Sequence, residues 1–213
     1  MESPKNDQRR KQDMNTITPR KLTLDDIADV RAYEREREAF KARVIAMKQR
    51  RRLALGPFVS VVFENRDTIR HQIQEMARVE RLATDQEIQT ELDIYNPMIP
   101  EAGQLCATLF IELTSDEQMR EWLPKLVGIE SSLVFRLPGG RTVRSITEAQ
   151  HASQLTREAI TAAVHYVQFE FSPEDINALD SGEAMFACDH PSYLEEIMLT
   201  DANREEFLGD LLP

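Results

Sequence analysis

Oily and polar positions along this chain recur with two different periods, and each change of period marks an element. From Arg31 to about Leu53, Tyr33, Phe40, Val44 and Met47 return at helical spacing while Arg35, Glu36, Glu38 and Lys41 fill the other side. That spacing predicts an amphipathic helix docking one face. Thr23 followed by Asp25 and Asp26 predicts a short helix to Val30, because a hydroxyl accepts from free first-turn amides and carboxylates favour the positive helix end. Gly56-Pro57 reads as the stop of the long helix. Phe58 to Glu64 then alternates with period two, Val59, Val61 and Phe63 on one face, and predicts a strand that hands over to a helix at Glu64 to Thr68.

The helical period resumes with Ile69, Ile73, Met76, Val79 and Leu82, and Thr84 with Glu87 forms a capping-box pattern opening a helix to about Asp93. Two prolines and a glycine make Tyr95 to Gly103 a loop. Leu105 to Leu113 reads as a buried strand, and Ser115 with Gln118 opens a helix carrying the single Trp122 and ending near Lys125. Leu133–Leu137 and Arg141–Ile146 form a predicted hairpin around Pro138-Gly139-Gly140. A helix from about Thr147 to Arg157, a strand from Val164 to Phe171 and a helix opened by Ser172-Pro173 follow. Met185–Cys188 and Leu194–Leu199 read as paired strands, and Phe207, Leu208, Leu211 and Leu212 as a last helix. Strands come singly, in hairpins and between helices, so the expected class is α+β, with a mixed, mainly antiparallel sheet packed by helices. The expected organisation is a mobile polar tail at 1–20, a basic helical arm at 21–54 and an α+β domain at 55–213.

Charge adds an asymmetry that the net value of -11 conceals. Residues 1–52 hold 15 Lys/Arg and 9 Asp/Glu, net +6, leaving 11 basic and 28 acidic residues, net -17, in the rest. An arm of one sign on a body of the other points to folding back on that body, to an acidic second subunit in a homo-oligomer, or to nucleic acid, which the overall acidity disfavours. No apolar run approaches a membrane span, and the opening MESPKNDQRRKQD lacks the apolar segment of a secretory signal, so a cytoplasmic protein is expected. Two cysteines, Cys106 and Cys188, are too few for an iron–sulfur cluster or a four-cysteine zinc site and are expected as core residues.

The usual linear signatures of nucleotide cradles, nucleophile elbows, zincins and thioredoxin-like redox sites do not occur. Acid–base sites assembled from distant segments leave no linear trace, so residue types at element junctions become the candidates. Glu64, Asn65 and Arg66 sit where strand meets helix, with Gln72, Glu75 and Glu80 farther along. Free amides and a guanidinium there suit an anion; the plainer reading is a capped helix with an Arg–Glu network. His165 shares a strand face with Val167, Phe169 and Phe171 and reads first as a hydrogen-bonded core histidine. His190, between Asp189 and Pro191, reads as a dyad or as part of a surface turn. Glu148 and His151 have the spacing of half a di-iron site but no second copy, and His71 with Glu75, four apart, reads as a surface pair or a hydrogen bond before a shared metal, so no metal is assigned. Lys48 to Arg52 reads as a solvated, dipole-matched helix end without an aromatic platform for bases.

Several phrases taken together resemble a bacterial family known only as a domain of unknown function, DUF3501. They are Lys21-Leu22-Thr23-Leu24, Tyr33-Glu34-Arg35, the Arg43–Arg52 stretch, Phe63 to Thr68, Gln72 to Met76, Ala107 to Glu112 and Asp189-His190-Pro191. The resemblance carries over no established catalytic residues and leaves the cofactor unknown. Through the genes that often accompany family members, it implies a cytoplasmic redox or peroxide-defence setting with rubrerythrin-like or heterodisulfide-reductase-like iron–sulfur partners. Two functions follow as expectations: a binding or accessory protein in that setting, or a metal- or small-ligand-dependent enzyme with a site around Glu64, Arg66, Glu75 and His165.

Overall fold

Large apolar side chains on the short strands need a second apolar layer, and two sheets packed on each other supply it. The structure is a computed structural model that describes residues 20–147 and 160–212. The first sheet has the order β1-β2-β3-β7-β6, formed by β1 (Arg52–Leu55), β2 (Val59–Glu64), β3 (Gln104–Ile111), β7 (Val164–Glu170) and β6 (Ile146–Thr147). The second has the order β5-β4-β8-β9, from β5 (Arg141–Arg144), β4 (Leu133–Leu137), β8 (Met185–His190) and β9 (Tyr193–Met198). Every pairing among the described residues is antiparallel. The chain is thus α+β as its pattern predicts, with the mainly antiparallel expectation resolved into two wholly antiparallel sheets.

Between the sheets lies one aromatic core. Phe63 of β2 is fully buried, its ring 4.3–6.0 Å from those of Phe135, Phe169, Phe186 and Phe207. The chain crosses between sheets at Ser145, where Arg144 still pairs with Val134 and Ile146 already pairs with Gln168. The Ser145 hydroxyl accepts from Leu133 N and donates to Glu130 O, satisfying the backbone at that corner.

Among the described residues six α-helices cover the sheets: α1 (Val30–Arg51), α2 (Arg66–Glu80), α3 (Asp85–Tyr95), α4 (Asp116–Trp122), α5 (Pro173–Ser181) and α6 (Asp201–Leu211). On the outer face of the first sheet, Ile69 and Ile73 of α2, Leu92 of α3, Leu22, Met98 and Ile99 form a second cluster, with Tyr166 of β7 against it. Helix α1 lies along α2 through Tyr33, Phe40 and Val44. Capping boxes at Asn65, Thr84, Ser172 and Thr200 start α2, α3, α5 and α6, so each N-terminus is set by a side chain legible in the sequence.

Several expectations need correction. The short helix after Thr23 is a single 3-10 turn over Leu24–Asp26, because Asp29 caps the long helix and leaves no room for more. Leu53 belongs to β1, and Gly56-Pro57 turns a hairpin instead of stopping a helix. Gly56 has φ +66°, and a Cβ there would stand 2.6 Å from the Tyr193 hydroxyl oxygen, so the approach of β9 demands glycine. All six residues of β2 are buried, since helices cover the face that was to alternate. In α2, Val79 is 68% exposed; its buried positions include Thr68 and Gln74, whose side chain exchanges hydrogen bonds with both backbone groups of Ala28. The predicted tail, the body of the helix from Thr147 to Arg157, and the Glu148/His151 pair lie outside the described residues, while Thr147 itself is in β6.

Candidate functional site: a polar seam under the first helix

Antiparallel register decides which polar residues meet. Glu64 is in register with Cys106, and Val62 with Thr108, which pairs onward with Tyr166; these residues share the outer face of the first sheet. Glu64 closes β2 with its side chain under α1 and is 6% exposed. Thr108 Oγ1 donates to Glu64 Oε1 at 2.8 Å, while Oε2 is buried without a hydrogen bond and lies 3.9 Å from Lys48 Nζ. Asn65 accepts from Thr68 N as the cap of α2, and its amide points at the Met47 sulfur, 3.3 Å away.

Two turns along α2 the seam continues. Glu75 accepts from Tyr33 Oη at 2.7 Å and from Arg37 Nε and Nη2 at 2.8 and 3.0 Å, a guanidinium fork on a carboxylate. Hydrogen bonding from Arg37, helped by Tyr33, brings the Glu75 carboxyl down from 4.5 to about 2, and burial pushes the Tyr33 phenol up. His71 lies against the Phe40 ring, its Nε2 buried without a partner and its pKa lowered by burial, so it is not the surface half of a Glu75 pair. A carboxyl whose folded pKa is depressed stabilises the fold fully above its unfolded value of about 4.5, and that contribution disappears as pH falls toward 2. Unfolding free energies from urea titrations stepped through this window are expected to decline in the parent and to flatten in Glu75→Gln; identical slopes would remove Glu75 as the responsible group.

The other candidates lie elsewhere. Arg66 pairs with Asp26 instead of facing an open helix end. Gln72 stands beside Tyr95, whose phenol burial pushes up and Gln72 draws back. His165 is in register with Leu109 and Val61, on the inner face opposite Glu64. His165 Nε2 stands 2.9 Å from Ala162 O and 2.8 Å from Thr161 Oγ1. A carbonyl only accepts, so Nε2 carries the proton, and Nδ1 faces the otherwise unpartnered Glu130 Oε2 at 4.0 Å. Burial lowers the His165 pKa while Glu130 pulls it upward. His190 ends β8 instead of lying in a surface turn, 7% exposed; its Nε2 is 3.1 Å from Val127 O and its Nδ1 accepts from Ser192 N. Asp189 is turned away onto Arg144, so the two make no dyad. Glu64, Arg66, Glu75 and His165 therefore do not line one cavity, because strand alternation puts His165 on the far face and separate partners hold the other three.

Within the cationic run Arg51 alone is internal, 1% exposed and paired with Glu206 and Asp210, which corrects the solvated helix end at that residue. Arg50 and Arg52 stay exposed, paired with Glu206 and Glu112. Both cysteines are free and buried, and burial pushes the Cys106 thiol up to about 12, far from a reactive thiolate. Among the described residues no group of three His, Cys, Asp or Glu is placed to hold a metal ion, and no helix is long and apolar enough to cross a membrane. Sequence reasoning missed Thr108, Glu130 and Thr161, and the approach of Lys48 to Glu64, all of which depend on register and packing. Tyr33 and Arg37, one turn apart on one helix, were open to detection by spacing.

A family model described as a protein of unknown function, DUF3501, matches residues 21–211. A crystal structure of a novel protein of unknown function from Burkholderia pseudomallei K96243 is similar, with 35% identity and a TM-score of 0.81 over 89% of this chain and 98% of that one. No curated protein matches.

Proposed function

The chain belongs to the DUF3501 family, and from that premise we propose that it is a non-catalytic accessory protein that docks a protein partner in a cytoplasmic redox or peroxide-defence setting. One observation carries the reading: among the described residues the side chains best suited to chemistry are engaged in internal pairs on separate faces and share no cavity. Glu75 is held by Arg37 and Tyr33, His165 by Thr161 and Ala162, and His190 by Val127 and Ser192. The setting, and a rubrerythrin-like or heterodisulfide-reductase-like iron–sulfur protein as partner, come from the family resemblance.

The docking face is the edge of the second sheet. Among the described residues strand β9 pairs only with β8, with β1 packed near its start through Tyr193 and Leu55, and it presents Leu194, 71% exposed, and Met198, 50% exposed, around the Arg136–Glu196 pair. An unpaired strand edge with protruding apolar side chains suits strand addition by a partner. A purified rubrerythrin-like or heterodisulfide-reductase-like protein from the same cell is expected to bind the full chain saturably in calorimetry, and Leu194→Glu with Met198→Glu to abolish the signal. Peroxide turnover by the isolated chain, or binding unaffected by both substitutions, would defeat the proposal.

A further inference from the structure

The start of α1, the end of α2 and the start of α3 converge away from β9, none of whose residues lines the space between them. They enclose an open cleft of about 520 Å³, within the range of small-ligand sites. Its floor is apolar: Leu24, Ile27, Val30, Leu82 and Ile88 line it, each half-buried and so still facing solvent. Arg31 and Arg81 also line it, both exposed. Neither makes an ion pair or a hydrogen bond through its side chain among the described residues, whereas Arg37, Arg66, Arg70 and Arg78 of the same two helices each hold a carboxylate. Two aspartates line the cleft as well. Asp29 accepts from Ala32 N at the start of α1, and Asp85 occupies the first turn of α3, so each carboxylate is offset by the positive end of its helix. The two guanidiniums are left uncompensated beside an oily floor.

We propose that this cleft binds a linear carboxylate with an apolar chain, the chain on the floor and the head between Arg31 and Arg81. A cationic amphiphile would bring its charge to two free arginines, and a neutral one would leave them unused. The inference stands apart from the partner reading above, since β9 lines no part of the cleft, and either can fail alone.

Arg81 supplies a test that separates binding from folding. It is the only non-glycine residue with positive φ among the described residues, at +60°, and it closes α2 with its amide on Ala77 O. Glycine adopts that conformation without strain, so Arg81→Gly is expected to melt at or above the parent temperature while losing a head-group ligand. Decanoate titrated into the full chain is expected to saturate, with amide shifts centred on Ile27, Leu82 and Ile88 and none from decyltrimethylammonium. Arg81→Gly and Arg31→Gln are each expected to weaken decanoate about tenfold, as loss of one charge-assisted contact does. Absence of saturation, equal binding of the cationic probe, shifts centred elsewhere, or unchanged affinity in both variants would overturn the proposal. Should Arg81→Gly melt below the parent, Arg31→Gln decides alone.

Discussion

Arg51→Met is expected to lower the unfolding free energy by about 3–5 kcal/mol, the usual cost of removing one partner from a buried ion pair. Arg51 is the hinge pin of three segments. Its Nε donates to Phe63 O at 2.9 Å, its Nη1 to Glu206 at 3.0 Å, and its Nη2 to Asp210 and to Glu64 O. The side chain thus ties the end of α1 to the end of β2 and to α6. Without it, Asp210 is stranded: burial already pushes its carboxyl upward against the pull of Arg51, and two backbone carbonyls lose their donor. Chemical denaturation gives the measurement. A double variant, Arg51→Met with Asp210→Asn, is expected to recover part of the loss, because the orphaned charge is gone. A cost below about 1 kcal/mol for the single variant, the range of exposed pairs, would show that the cluster is solvated after all.

Phe63→Ala is expected to cost about 3–5 kcal/mol as well, by the different route of an internal cavity. The Phe63 ring touches four other phenylalanines from both sheets and α6, so its neighbours cannot collapse without moving three layers. Against a total stability of roughly 5–15 kcal/mol, that loss leaves a marginal fold. Phe63→Leu, which keeps most of the volume, is expected to cost clearly less, and both are read from the midpoint of a guanidinium titration with an unchanged slope. Equal costs for Ala and Leu would mean that ring–ring geometry, not volume, holds the core.

The paired charges put the opposite signs of arm and body in physical terms. Arg37 meets Glu75, Arg50 and Arg51 meet Glu206, and Arg52 meets Glu112, so the basic segment folds onto acidic neighbours of its own chain. One cation of that run, Arg51, becomes an internal clamp once α6 is in place, while Arg50 and Arg52 make their pairs at the surface. Phosphate-backbone binding through this run would have to break those pairs first.

Local chemistry determined what the sequence by itself could show. Capping side chains at Asn65, Thr84, Ser115, Ser172 and Thr200 place helix starts, and the period of oily residues separates β3 and β7 from α1 and α2, because both act within one turn or a few residues. Tertiary structure alone decided the rest. Whether Glu64 meets Thr108, whether His165 lies on the same side as Glu64, and whether Arg51 is buried all depend on strand register and on helices more than a hundred residues away. A shift of one residue in pairing would exchange the faces and reverse each answer, and nothing in the linear order of residues records that choice.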